Sequence, residues 1–494
     1  MGQGFCRIAF IDIAVYFRYH KAEAGGIFLT ETLQMHFPDA VMYAMERLNA
    51  AGFRAAAVGG CVRDTLLGAQ PHDFDLTTSA LPEEMKKVFA NDTLKETGIR
   101  LGTLTLVRDG MEVEITTFRT DGDYLDGRHP EGVRFTTELT EDLARRDFTV
   151  NAMAWEYGVG LRDPFNGLRD IESKLIRCVG NAARRFEEDA LRMLRAVRFA
   201  ARLGFSLEGS TARALEEKKE RVAMLSRERI CDEITGMLVS PFFLDAALNY
   251  GGVLLEALPE LKPMKGCPQE CIYHSWDVWE HSLRTVDLSP PDPVVRWAAL
   301  LHDCGKPETH TRDADGVDHF YGHPAKGAML ADRICAALNM PSSWRSRIHM
   351  LVLRHDERFS PGDMLLLASR IGLDNARDLC LLHMADQGAH SPMVARRARW
   401  TNALLDELDR IERDGDCWNL EQLAVSGRDM LALGISGPAV GEMLHYLLEA
   451  VVRFHVPNDR DLLMQAAKAH YERMTTAFGP PGNGGGDGGG KNAP

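Results

Sequence analysis

Two acids one residue apart, Asp73 and Asp75, stand in the segment Asp73-Phe74-Asp75-Leu76, nine residues after Val58-Gly59-Gly60-Cys61-Val62-Arg63-Asp64. Alternate residues of a strand point to one face, so the two carboxylates project together while Phe74 and Leu76 turn to the core. Adjacent carboxylates repel each other and invite a divalent cation such as Mg2+. Glycines let backbone amides approach a phosphate with no Cβ in the way. Arg63 falls on the short helix predicted after that turn, placed to meet phosphate, with Asp64 beside it to fix its orientation. Transfer of a nucleotidyl group needs an activated hydroxyl and a neutralised pyrophosphate, which two closely spaced metal ions provide. A third acid usually completes such a site. Met111-Glu112-Val113-Glu114-Ile115 offers two on one strand face, and Glu114, deeper in the apolar run, is the one expected.

These residues need strands to carry them, and the sequence supplies candidates at Ala55–Val58, Phe74–Thr77, Thr103–Val107 and Glu112–Arg119. From Ile171 onward the periodicity is helical almost without interruption. The predicted fold class is therefore α+β, a small mixed head followed by a long helical body. Pro and Gly near Pro259–Pro268, Ser289–Pro293 and Ser360–Gly362 mark joints within that body. Residues 1–34 differ in character from the rest of the chain, with Met35 a plausible true start. Residues 479–494 are Gly-rich and read as disorder.

A length of 494 residues suggests about three domains. A hydrophobic content of 45% with 26% charged residues describes an ordinary soluble globular chain. The net charge of −14 excludes adhesion to nucleic acid by overall charge, so an RNA site must be a local basic patch. Arg177 to Arg202 holds seven arginines against Glu187, Glu188 and Asp189. It reads either as that patch or as a solvated helix face laced with ion pairs. Ten scattered cysteines with no CxxC pair fit a reducing compartment, hence the cytoplasm. Cys267 and Cys271 beside His274 are a minor zinc candidate. No apolar run reaches the roughly 18 residues of a membrane span, and Asp12 interrupts the apolar stretch Ile8–Phe17, so neither membrane nor signal peptide is expected.

Arg145-Arg146-Asp147-Phe148-Thr149-Val150-Asn151 is a second dense cluster, suited to ribose and triphosphate recognition beside the first. Asp163-Pro164-Phe165-Asn166-Gly167 reads as a turn closing the head, and Glu188-Asp189-Ala190-Leu191-Arg192 comes next. With these in order, the chain resembles the class II tRNA nucleotidyltransferases, the CCA-adding enzymes, and the related bacterial poly(A) polymerases. The resemblance implies a polymerase-β-like head over 35–165, a helical neck and start of the body over 166–270, and a helical tail over 393–478 for tRNA binding. It implies Mg2+ at the catalytic Asp73, Asp75 and Glu114. It also implies nucleotide contacts from Gly59, Gly60, Arg63, Arg146, Asp147, Asn151, Asp189, Arg192, Arg195 and Arg198. The implied reaction adds CMP and AMP from CTP and ATP to the 3′ end of tRNA, with no obligate protein partner. Residues 120–133 fit the family's flexible loop. Asp189 and Arg192, i and i+3 on a predicted helix, share a face. Their acceptors and donors match the edges of cytosine and adenine and mismatch those of uracil and guanine. A surface ion pair is the plain alternative.

His281, His302-Asp303 and Asp386 have the order and residue types of an HD-domain phosphohydrolase, assigned to 271–392. Imidazole and carboxylate together can hold a transition metal that acidifies bound water. Lys306 is a phosphate candidate, and His323 and His355 fall where the HD family places ligands for a second metal. The alternatives are satisfied core histidines or a domain serving only as scaffold. Further on, Arg396-Arg397-Ala398-Arg399 and Gly427-Arg428-Asp429 fit a tRNA-cradling tail. Rival functions are poly(A) or A-only addition, a phosphohydrolase whose head merely binds nucleotide, and an RNA-binding module without catalysis.

Overall fold

The computed structural model describes residues 35–71, 73–121, 133–270, 275–390 and 398–478. The N-terminal extension, Cys271 and His274 of the zinc candidate, loop residues 122–132, Arg396-Arg397 and the Gly-rich tail lie outside the described residues. Among the described residues, a first compact unit runs to Lys262 and takes in Ala337–Met340. A second takes Pro263–Ala336 and the chain from Pro341.

The first unit is built on a seven-stranded sheet ordered β3-β4-β5-β2-β1-β8-β9. The strands are β1 (Ala55–Val58), β2 (Asp75–Thr78), β3 (Thr93–Lys95), β4 (Thr103–Arg108), β5 (Met111–Thr117), β8 (Ala154–Glu156) and β9 (Gly160–Arg162). A separate ribbon pairs β6 (Arg119–Asp121) with β7 (Val133–Phe135). Only β2 and β5 run parallel; the other sheet neighbours are antiparallel. β1 is Ala-Ala-Ala-Val and buried along its whole length, as a central strand covered on both faces must be. Ala56, Val58, Phe118, Leu139, Leu143, Ala152, Ala154 and Val179 form one apolar cluster over it.

Three expectations need correction. β2 starts at Asp75, so Asp73 precedes the strand. The strand expected over Glu112–Arg119 ends at Thr117 and the chain resumes pairing only at Arg119. The region after Ile171 also contains short pairs, Leu175–Ile176 with Ser206–Leu207 and Thr311–Arg312 with Asp318–His319. Pieces of two or three residues are too short to display a period of two.

The turn at Asp163–Gly167 has a structural explanation. Both carboxylate oxygens of Asp163 accept backbone hydrogen bonds, from Gly167 N at 2.7 Å and Leu168 N at 2.9 Å, opening the helix Gly167–Glu172.

The second unit is helical, with caps legible in its sequence. Asp277 accepts from Glu280 N ahead of Val278–Leu288, and Asp292 accepts from Val294 N and Val295 N ahead of Pro293–Leu301. The latter helix buries Trp297 completely. Later helices, including Pro438–Phe454 and Arg460–Phe478, enclose Met430, Leu447, Leu463 and Ala467. No helix among the described residues is long and apolar enough to cross a membrane.

A Cβ on Gly167 would lie 2.3 Å from the Thr149 carbonyl oxygen and 2.9 Å from Met153 Cγ. Gly167→Ala should therefore cost about 1–3 kcal/mol, the usual range for overpacking. Thermal denaturation would register this as a lower Tm for the first unit; an unchanged Tm would show that the turn yields freely.

Candidate functional site

The sheet register assembles the head site. Asp75 pairs with Glu114 across the parallel strands β2 and β5, so their side chains leave the sheet on one face. Asp73 reaches the same end from the loop just before β2. Loss of hydration raises the Asp75 carboxyl above the usual range; Arg146 opposes this and Asp73 adds to it. Glu114 is raised for the same first reason, then by Asp75, Asp73 and Glu112. The three acids thus feel one another, as the chemistry expected of them requires. Glu112 is drawn off to Lys95, 2.5 Å away on β3, which leaves Glu114 as the strand acid that faces Asp75.

The glycine turn closes against arginines. Gly59 has φ +76°, and a Cβ there would meet Arg146 Nη1 at 2.9 Å. The next residues form the helix Gly60–Leu66. Arg63 lies inside the fold, 2% exposed. Asp64 holds it as expected, with Oδ1 accepting from Nε at 2.8 Å, and Asn151 Oδ1 accepts from Nη1 at 2.5 Å. Arg63 is thereby committed to neighbours, and Arg146 is the more open of the two guanidiniums. Arg146 stands 3.6 Å from Asp142, while its buried Nε has no hydrogen-bond partner. Burial lowers its pKa first, with Asp142 opposing. Asp147 is buried too, and burial alone would raise its carboxyl. Arg195 at 2.7 Å, Asn151 and the Phe148 amide outweigh that and hold it below the usual range.

The neck helix differs from expectation. A helix ends at Glu188, Asp189 is extended (φ −144°, ψ 108°), and a second helix runs Leu191–Leu203. Asp189 breaks the helix because its Oδ1 accepts from Leu191 N at 3.0 Å, a local bond that competes with helical pairing. Asp189 and Arg192 share a backbone hydrogen bond of 3.1 Å from Arg192 N. Their side chains have other partners: Asp189 meets Arg229 at 3.3 Å and Arg192 meets Glu188 at 2.9 Å. The seven-arginine segment resolves in favour of ion pairing. Arg184, Arg185 and Arg192 pair with Glu188, and Arg177, Arg195, Arg198 and Arg202 with Asp170, Asp147, Glu233 and Asp64.

Among the described residues, the tight groups of metal-ligating atoms, within 4.8 Å of one another, all lie in the second unit. His281, His302, Asp303 and Asp386 come together there as anticipated. Asp303 Oδ2 is 3.1 Å from His302 Nε2 and 3.6 Å from His281 Nε2. Asp386 Oδ1 is 2.8 Å from His281 Nε2. Asp303 Oδ1 faces the other way, 3.4 Å from His323 Nε2 and 3.5 Å from His355 Nε2. Each of its oxygens thus serves a separate group, the geometry of a carboxylate shared by two cations. Lys306 is buried, its Nζ donating to Gln269 Oε1 at 2.6 Å and forming an ion pair with Asp303 Oδ2 at 2.6 Å, so it supplies countercharge.

Backbone carbonyls set the tautomers. Ala299, Phe320 and Val352 oxygens lie 2.7–2.8 Å from the Nδ1 atoms of His302, His323 and His355. A carbonyl only accepts, so Nδ1 carries a proton, and each imidazole in its neutral form presents the Nε2 lone pair. His323 Nε2 and His355 Nε2 are 3.1 Å apart. Two lone pairs at that separation repel unless a proton or cation lies between them. The donor set therefore fits a metal.

His383 and His390, which the sequence motifs do not single out, join this neighbourhood. His383 Nε2 is buried without a hydrogen-bond partner, and His390 stacks on His281 at 5.1 Å. Their offsets of −3 and +4 from Asp386, on or just after the helix Leu373–Ala389, were the available signal.

Both regions match known families. Residues 55–177 match the family model described as "Poly A polymerase head domain", and residues 271–384 match "HD domain". Fold and sites together define a nucleotidyltransferase-type head joined to an HD unit. The CCA-adding enzyme of Lactobacillus delbrueckii subsp. bulgaricus is 50% identical over 433 residues, 87% of this chain and 96% of that one. On that likeness, the chain belongs to the CCA-adding enzyme family. The Lactobacillus gasseri enzyme is 46% identical over 217 residues, 42% of this chain, so the match spans about half of that relative, 54%. A crystal structure of the Bacillus stearothermophilus CCA-adding enzyme in complex with CTP superposes with a TM-score of 0.67 at 28% identity, covering 89% of this chain and 98% of that one.

Each site has its own test. Glu114→Gln should cut nucleotide incorporation by about a hundredfold, near 3 kcal/mol, while Glu112→Gln stays within a few-fold of the unaltered protein. Equal effects in a single-turnover assay would refute the assignment. In the second unit, burial alone would lower the His302 pKa, but Asp303 and Asp386 prevail and raise it to about 10. The protonated imidazole stabilises the metal-free unit below its ordinary range near 6.5, and this contribution fades as pH climbs towards 10. A metal must displace that proton. Calorimetry in buffers of different ionisation enthalpy should show about one proton released per Mn2+ or Ni2+ bound, with affinity rising with pH.

Proposed function

We propose that this protein adds CMP and AMP from CTP and ATP to the 3′ end of tRNA, releasing pyrophosphate at each step. The observation that carries the reading is the register of Asp75 with Glu114, beside Asp73 and the Gly59–Gly60 turn. Family membership and the CTP complex of the Bacillus stearothermophilus relative support the substrate assignment. On the same reading the head would span 35–165, the neck would start at 166, the HD domain would span 271–392 and a tRNA-binding tail 393–478.

Asp73, Asp75 and Glu114 would hold divalent cations, with Mg2+ the expected ion. Bound there, it would acidify the primer 3′-hydroxyl and neutralise charge on the leaving pyrophosphate. The donor set suits it: carboxylates raised by lost hydration and by one another gain most from a cation. The primer oxygen forms its bond to the α-phosphorus as the bond to the β-phosphate bridge breaks. Arg146, the more open of the two guanidiniums, would meet the triphosphate. Arg63 stiffens the glycine turn from behind. Asp147 and Asn151 fix Arg195 and the ribose side of the pocket.

Base choice is assigned to Asp189 and Arg192. Within one turn of backbone they offer acceptors and a forked donor, and Arg192 exchanges Glu188 for the base edge when nucleotide enters. A uracil or guanine would leave buried groups unpaired, at about 1–3 kcal/mol each. Asp189→Ala should relax discrimination against UTP and GTP roughly tenfold or more while sparing metal dependence. The decisive experiment extends a tRNA lacking its 3′ end with CTP and ATP, together and singly. Addition of A alone in the presence of both would favour the A-only reading.

The HD unit supports a second activity, metal-dependent hydrolysis of cyclic or terminal phosphates. The opposed Nε2 atoms of His323 and His355 and the divided carboxylate of Asp303 favour it over a scaffold. Asp303→Ala should abolish hydrolysis with Ni2+, Mn2+ or Mg2+ and leave nucleotide addition intact. The pair Asp73→Ala with Asp75→Ala should do the reverse. A metal-free purified protein without hydrolysis would return the unit to a structural role.

A further inference from the structure

Phe199, on the helix Leu191–Leu203, is 5% exposed and has no polar atom on its side chain. Three guanidinium carbons surround its ring: Arg63 at 5.1 Å, Arg195 at 5.4 Å and Arg198 at 5.1 Å from the centroid. Phe148 meets the same ring edge to face at 5.8 Å, which fixes its tilt. One aromatic quadrupole attracts a cation within about 6 Å, and desolvated contacts of this kind are the stronger ones.

Two of these arginines are also the ends of one hydrogen-bonded chain. Arg63 Nη1 donates to Asn151 Oδ1 at 2.5 Å, and Asn151 Nδ2 donates to Asp147 Oδ1 at 3.1 Å. Arg195 Nε donates to Asp147 Oδ2 at 2.8 Å. The chain starts on the helix behind the glycine turn, crosses Asp147 and Asn151, and ends on the neck helix. Both ends rest on Phe199, so the ring closes the arc. Each guanidinium also has a carboxylate partner: Asp64 for Arg63, Asp147 for Arg195 and Glu233 for Arg198. Those ion pairs hold the outer atoms, while the ring sets how far the guanidinium planes lean towards the core.

We propose that Phe199 is a positioning residue for nucleotide binding, a cation–π hub that locks the helix behind the glycine turn to the neck helix and orients their arginines. It makes no contact with substrate and does not choose between bases. This rests on the nucleotidyl-transfer reading above.

The test is steady-state addition of CTP and ATP to a tRNA lacking its 3′ end, with Tm measured in parallel. Phe199→Leu keeps an apolar side chain and discards the quadrupole. It should raise KM for both nucleotides about tenfold, with kcat within about twofold and the CTP-to-ATP preference unchanged. Phe199→Tyr should restore KM. A purely structural role would lower Tm without this KM-against-kcat split. If Phe199→Leu fails to fold, mono-, di- and trifluorophenylalanine at position 199 keep the ring's shape while weakening its quadrupole. KM should then climb with each fluorine. Unchanged KM in a folded Phe199→Leu, or a flat fluorine series, overturns the hub while leaving nucleotide addition by the unaltered protein in place. Absence of addition by the unaltered protein overturns the underlying reading and the hub with it.

Discussion

Repulsion among carboxylates at one end of β2 and β5 is the constraint around which the first unit is arranged. Placing Asp75 opposite Glu114, with Asp73 next to them, concentrates charge where hydration is already depleted. Arg146 is the nearest opposing charge, and it reaches the spot only because Gly59 leaves room for it. Behind this front, Asp147, Glu233 and Asp64 are neutralised in pairs with the neck arginines, which keeps a dense set of charges compatible with burial. Among the described residues, the acids that face the open end have no such ion-pair partner built in. That asymmetry is what a cation-dependent site needs.

The second unit meets the same problem by a different route. Asp303 is fully enclosed and Asp386 mostly so, and histidines surround them, three of which are turned by a backbone carbonyl so that Nε2 points inward. Asp303 sits at the centre with one oxygen for each group. Where the head exposes bare carboxylates to an incoming nucleotide, this unit gathers imidazoles around its acids, and a metal would have to displace the proton that His302 holds. The two chemistries are therefore separable by side chain as well as by place in the chain.

Much of this was legible because Asp75 and Glu114 ride on strands with clear alternation. The segments around Asp75 and Glu114 each place apolar residues at every second position, and their face could be read directly. The HD residues were legible from order and type. What escaped was long-range or very short. Arg202 pairs with Asp64 across 138 positions, and no local pattern announces such a partner. β8 and β9 have three residues each, below the length at which period two can be seen. Asp189 reads as helical because its neighbours favour a helix, yet its own side chain offers the backbone a competing bond. His383 and His390 escaped notice although their spacing from Asp386 pointed to one helix face.

The pairing of β2 with β5 has a consequence for how the chain matures. Sliding β5 by a single position would set Val113 or Ile115 against Asp75, expose both of those now-buried side chains and press Glu114 into the apolar layer. A mispaired nascent head would thus be inert and sticky at once, easily recognised by chaperones or proteases. Proofreading of the fold and competence of the enzyme are tied to one strand alignment.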